Sequence, residues 1–333
     1  MSTRRAIPAR VSGAILAAVL LSLAACAGDP EDQVFDLEGS GRVVGFLFRD
    51  NDINGVLNQN ADDGLPGELV MLRARGESAD FTMERTDTVG FFAFRFAPFG
   101  TYRVLGSVEL LGDSLEAVPG SDADFVLGAN DTVFINFGVR YKTVTVTEAR
   151  ALPVGARRWV MGIVLNPQQA FGDSTVHMTD STSAIRATGV RPVGLSIGDS
   201  VRFLGRRETR DGQPVIVVTT IATRGSGPVP PPAAITAAMA VGADGGTRDA
   251  ALVRIEAATI TDTATVNGFR ILTVDDGTGP LEVVLSPTIN FNPLNAYVPN
   301  VVLDVTGLLT PVAGGGGGWF LRPRGRFDLL VVN

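Results

Sequence analysis

From Arg42 onward the chain is written in short runs of β-branched and aromatic residues, and almost every run is closed by glycine, proline or an Asp/Asn cluster. Phe91-Phe92-Ala93-Phe94-Arg95-Phe96 shows the pattern best: Phe92, Phe94 and Phe96 recur at every second position, the period of a strand with one buried face. With 39 glycines and 19 prolines, and no long window of helical period once the first 25 residues are set aside, the chain is predicted to be all-β. The best exception is Ala233 to Val241, a modest helix or a loop. Cys26 is the only cysteine, so internal disulfides cannot hold these domains together and packed cores or a metal must do so.

Arg4, Arg5 and Arg10 precede an apolar run from Val11 that closes at Leu23-Ala24-Ala25-Cys26. A basic start, an apolar stretch short for a membrane span and small residues before the cut are the marks of an export signal. With its cysteine, this segment resembles the lipobox of bacterial lipoproteins; the alternative is an ordinary secretory signal with an incidental Cys26. The resemblance implies cleavage after residue 25, acylation of Cys26, a membrane partner reached through the lipid, and, since Ala27 rather than an aspartate follows, an outer-membrane location. Residues 26–40 are polar and aperiodic and are expected to be a flexible stalk. Loss of the three arginines moves the formal charge from −7 to −10, so duplex DNA binding is not expected.

Residues 41–141 carry strand, Asp/Asn loop, Gly64-Leu65-Pro66-Gly67, strand, Thr86-Asp87-Thr88-Val89-Gly90-Phe91-Phe92-Ala93-Phe94, and Pro98-Phe99-Gly100-Thr101-Tyr102-Arg103-Val104. That order resembles the prealbumin-like sandwich of carboxypeptidase regulatory modules and of adhesin B-type repeats. An extra residue in the Gly-x-Phe spacing departs from the family pattern, and no isopeptide-forming set is evident. Residues 143–224 and 233–333 repeat similar beats, Ile197-Gly198-Asp199-Ser200-Val201-Arg202-Phe203-Leu204-Gly205 answering Val301-Val302-Leu303-Asp304-Val305-Thr306-Gly307. Each copy resembles the bacterial OB-fold-like modules found in tandem in exported lipoproteins, which implies two small β-barrels. Between them, residues 225–232, Gly-Ser-Gly-Pro-Val-Pro-Pro-Pro, are expected to form an extended linker outside any sheet.

Asp50-Asn51-Asp52-Ile53-Asn54-Gly55 opens like a calcium loop, in which alternate oxygens converge because glycine permits a sharp turn. Asp50, Asp52 and Asn54 would give side-chain oxygens, Val56 a carbonyl and Asn58 a further ligand; Ala61 stands where an acid should close the shell, and Asp62, one residue late, would serve if the loop bulges. A calcium ion held for stability and a plain Asx-rich turn are the two readings. Trp319, Arg322, Arg324 and Arg326 form the one compact basic-aromatic cluster, either a polyanion or glycan contact or simply a final strand with its charges in water. His177 is the sole histidine, which leaves no protein-only zinc site of the usual kind and no Ser-His-Asp arrangement in prospect. Asp275-Asp276 is read as a turn rather than a catalytic pair.

Together these features point to a lipid-anchored envelope protein without enzymatic activity: a binding or structural module whose partner is an envelope protein, a glycan or an oligonucleotide. The alternatives are an accessory for extracellular polymer handling, gripping nucleic acid or carbohydrate through the barrels, and a carboxylate-based hydrolase.

Overall fold

The computed structural model describes residues 39–314 and 317–332, except for the side chains of residues 223 and 224. The leader, Cys26 and the stalk up to residue 38 lie outside the described residues.

The N-terminal part is a two-sheet sandwich organised around one long strand. Strand β1 (Ser40–Arg49) pairs with β5 (Phe91–Pro98) and β9 (Thr132–Phe134) along its first half, then with β2 (Asp63–Gly64) and β10 (Phe137–Tyr141), which in turn carries β7 (Leu115–Ala117). The second sheet runs β4 (Thr82–Arg85), β3 (Leu69–Ala74), β6 (Gly100–Gly106), β8 (Phe125–Leu127), and a short helix α1 (Val108–Leu111) follows β6. Alternate residues of both sheets meet between them: Val43, Leu47, Val70, Leu72, Phe92, Phe94 and Val104 are buried in one cluster. Truncating such an aromatic typically costs about 3–5 kcal/mol.

The expected face of Phe92, Phe94 and Phe96 is broken by a bulge. Val43 pairs with Phe94 and Gly41 with Ala97, so β5 carries one more residue than β1 over that stretch. The side-chain alternation shifts by one, which puts Ala97 inside and leaves Phe96 66 % exposed.

Two closed five-stranded barrels follow. In the first, β12 (Arg157–Val164), β13 (Val176–Thr179), β14 (Ala184–Thr188), β16 (Gln213–Ser226) and β15 (Asp199–Arg210) are neighbours in that order, and β15 returns to β12. In the second, β18 (Leu252–Val266), β19 (Phe269–Asp275), β20 (Pro280–Leu285), β22 (Trp319–Arg322) and β21 (Val302–Pro311) do the same, β21 returning to β18. In both barrels the third and fifth strands are parallel and the other contacts antiparallel. This is the Greek-key barrel of the OB fold, present twice.

Smaller elements repeat too. A short strand, β11 (Thr143–Val144) or β17 (Ala233–Ala234), runs parallel to the first barrel strand and leads into a helix, α2 (Val146–Ala151) or α3 (Ala237–Gly242). Thr145 and Thr236 cap these helices by accepting from Glu148 N and Met239 N. The second barrel adds β23 (Leu329–Val331) beside β21.

The segment from residue 225 departs from expectation at its start. Ser226 and Gly225 still pair with Asp199 and Ser200, because Gly225 adopts φ +128° and lets β16 bend and continue to the edge of the barrel.

Candidate functional site

The Asp/Asn loop leaves the end of β1, where Asp50 N donates to Val139 O at 2.8 Å. Ile53 at φ +57° and Gly55 at φ +81° reverse the chain so that Gly55 N donates to Asp50 Oδ2 at 3.0 Å. A second tight turn, in which Ala61 N and Asp62 N both donate to Asn58 O, pulls Asp62 back toward the start of the loop. Asp62 there accepts from Asn51 N at 2.9 Å and Asn58 N at 2.8 Å. One oxygen from each of Asp50, Asp52 and Asp62 lies within 4.8 Å of the others, and Asp50 and Asp62 are both buried.

Asp50 is the singular member. It is 1 % exposed, and no group donates a hydrogen bond to its Oδ1. Burial pushes its carboxyl above the ordinary range, the Gly55 and Ile53 N–H groups oppose this, and Asp52 and Asp62 push it up. Three acids with hard oxygens, one of them buried and without a donor, fit a divalent cation of the calcium kind.

The other residues expected in that shell are placed differently. Asn54 Oδ1 accepts from Val56 N at 2.7 Å and Asn58 Oδ1 from Asn60 N at 3.2 Å, as in ordinary Asx turns, while Val56 is exposed. The convergent set is therefore the three acids.

The basic-aromatic cluster is corrected by the packing of one barrel on the other. Leu165, Ala170 and Phe171 of the first barrel meet Leu252 and Leu308 of the second in a shared apolar patch. Arg322 is buried there: its guanidinium stacks 4.0 Å over the Phe171 ring and Nη2 donates to Phe171 O at 3.1 Å. Burial lowers its pKa to about 10. Trp319 is also buried, with Nε1 donating to Asp249 Oδ1 at 3.2 Å. Arg324 grips Asp328 through Nε and Nη2, each at 2.9 Å. Of the four, Arg326 alone is exposed, its guanidinium 4.7 Å from the centre of the Phe327 ring. Arg322 thus belongs to a seam between the barrels, Trp319 and Arg324 are tied within the second barrel, and the four do not form one exposed platform.

Sequence reasoning missed the centre of that seam. Asp249 is fully buried, with Arg186 Nε 3.5 Å and Arg150 Nη1 3.9 Å from its Oδ2. Burial pushes its carboxyl up, and Arg186, Trp319 and Arg150 pull it down. Arg150 also donates to Ala184 O in its own barrel and to Gly246 O in the other. The available signal was Arg186 itself, a cation inside the apolar strand Ala184-Ile185-Arg186-Ala187.

His177 pairs with Arg186 across β13 and β14, under the same seam. It is buried, its Nδ1 lies 3.1 Å from Asn166 Oδ1, and burial with Arg186 and Arg322 holds its pKa well below the ordinary value. Among the described residues, neither nucleophile nor carboxylate is hydrogen-bonded to the ring. The outward surface of β13 and β14 is thus covered by the second barrel. The corresponding surface of the second barrel is partly exposed, with Thr273 opposite Glu282 and Ile271 opposite Val284. Asp275 and Asp276 serve turns: Asp276 Oδ2 accepts from Ala237 N at the start of α3, as Asp180 Oδ2 accepts from Val146 N at the start of α2.

No protein-family model matches the sequence, and no curated protein is similar to it. Among solved structures, the chain is similar to the hypothetical protein ygiW from E. coli at 16 % identity, over 25 % of this chain and 97 % of that one, with a TM-score of 0.22. It is similar to the p204 HINb domain at 16 % identity, over 54 % and 98 %, with a TM-score of 0.27. It is also similar to a murine DNA-binding protein bound to double-stranded DNA, at 9 % identity, over 52 % and 97 %, with a TM-score of 0.28. With TM-scores this low, the barrel assignment rests on the strand order alone.

Proposed function

We propose that this chain is a non-catalytic binding or structural module of the cell envelope, held through an acylated Cys26, in which a prealbumin-like first domain is clamped by one calcium ion. The observation that carries the reading is a contrast in how polar groups are used. His177, Asp249, Arg322 and Arg324 are all engaged in contacts within or between the barrels. The carboxylates of Asp50, Asp52 and Asp62 instead converge around a buried oxygen that accepts no hydrogen bond.

Asp50, Asp52 and Asp62 are the residues that hold the ion. Its positive charge offsets the repulsion among three acids and ties the end of β1 to the return of the loop at β2, a gain in rigidity rather than in reactivity. Outside the cytosol calcium is supplied by the surroundings, and a domain without disulfides gains most from such a clamp. The covered surface of the first barrel and the net acidic charge of the chain favour a structural or protein-binding role over a polyanion grip.

The test is made on chain purified from membranes of cells expressing it with its own leader. Mass spectrometry of the N-terminal peptide is expected to find acyl chains on Cys26, and protease is expected to spare residues 50–63 in calcium and cut them in chelator. An unmodified N terminus refutes the anchor, and equal cleavage in both buffers refutes the clamp.

A further inference from the structure

The outer surface of the first sheet carries a cluster of partly exposed apolar side chains. Val44 and Phe46 of β1, Phe91 and Ala93 of β5 and Phe134 of β9 all point away from the core, since their neighbours in sequence are the buried ones. The rings cluster, with Phe46 5.4 Å from Phe91 and 6.1 Å from Phe134. Phe134 is 57 % exposed, and the bulge in β5 adds Phe96 at 66 %. Exposed aromatic side chains grouped in this way are a candidate contact surface.

Where the chain enters says what covers it. The described fold begins at Gly39, whose carbonyl accepts from Phe99 N at 3.1 Å, and Phe99 is itself 67 % exposed. A shallow groove beside that entry is lined by Ser40, Arg42, Arg95, Phe96, Asp131 and Thr132. The two arginines are exposed in a protein of net acidic charge, next to the exposed rings. About 13 residues separate Cys26 from Gly39, which reach at most about 45 Å, so a lipid on Cys26 keeps this end within one domain's length of the bilayer. Aromatic side chains flanked by arginines are the composition that settles at an anionic headgroup interface, and one lipid chain alone binds only marginally.

We propose that this aromatic face is a second membrane contact, resting on an anionic lipid surface and fixing which way the barrels point. The inference rests on the envelope reading above. It does not depend on the calcium site.

The experiment uses full chain purified from membranes and reconstituted into vesicles of phosphatidylethanolamine and phosphatidylglycerol with dibrominated acyl chains, which quench nearby indoles. Trp159 and Trp319 are buried and supply the baseline. Added emission from Phe96→Trp and from Phe134→Trp is expected to fall at least twofold, while that from Phe327→Trp, at a position 77 % exposed on the second barrel, is unchanged. Combining Arg42→Glu and Arg95→Glu with Phe96→Trp is expected to relieve the quenching. Acylated chain in which neither indole is quenched overturns the proposal and leaves the envelope reading intact, as does equal quenching at position 327. Chain quenched as expected but carrying no acyl group refutes the anchor and keeps the face. If sedimentation finds a dimer that Phe96→Ser dissolves, with no quenching, the occupant is a second copy and the proposal fails.

Discussion

A carboxylate that is buried with one oxygen lacking a donor opposes folding unless a cation answers it, and Asp50 is in that position. Its folded pKa lies above the ordinary value, so the folded state binds the proton more tightly than the unfolded chain. The resulting penalty is fully present at neutral pH and is relieved as pH falls through the raised pKa toward about 4. Asp50→Asn is therefore expected to raise the melting temperature in chelator at pH 7 while abolishing the gain from calcium, read by calorimetry. His177 has the opposite history. Its neutral form is favoured in the fold, so stability is unaffected above the ordinary pKa of about 6.5 and declines as pH falls below it toward the depressed folded value. His177→Gln should flatten the melting temperature between pH 6.5 and 5 relative to the parent chain. The acids of the loop were legible because the Asp-x-Asp-x-Asn-Gly spacing is local. Asp62 joined them through a turn at Asn58 that no spacing rule contains.

At the scale of elements, alternation and turn residues foretold most strands, including β1, β3, β5 and β6, because a half-buried strand writes its period into the chain. The bulge that turns Phe96 outward was hidden, since it depends on how β5 matches β1 and not on either strand alone. The duplication was visible in the alternating apolar residues that end at Gly205 in one copy and Gly307 in the other, and the structure gives this glycine a reason. A Cβ on Gly205 would lie 2.3 Å from Ile216 Cγ2 and 2.7 Å from Val217 O, and one on Gly307 would lie 2.8 Å from Leu321 Cγ. These glycines let the fourth strand cross closely over the fifth. Gly205→Ala and Gly307→Ala are each expected to cost about 1–3 kcal/mol in denaturant unfolding. Asp276→Ala, which removes the acceptor at the start of α3, should cost about 1 kcal/mol in the same measurement.

The whole molecule is organised by contacts that sequence patterns cannot reveal, because two surfaces that meet carry no shared period. Trp319, Arg322 and Arg324 read as an exposed cluster and are instead packed between or within barrels, with Asp249, Arg150 and Arg186 completing the seam. Removing Asp249 leaves Arg150 without a carboxylate and Arg186 with Asp211 alone, so Asp249→Ala is expected to destabilise the barrel pair by about 3 kcal/mol in urea unfolding followed by tryptophan fluorescence. Combining Asp249→Leu with Arg150→Met and Arg186→Met should recover much of that loss, since apolar replacement of a whole buried ionic group is often neutral. The seam packs the two barrels against each other, and the first domain carries both the acid cluster and the aromatic face. Calorimetric titration of the full chain with calcium tests the central claim most directly. Binding of one ion per chain, lost in Asp50→Asn and Asp62→Asn, is the predicted result; no heat and no change in melting temperature between calcium and chelator would contradict it.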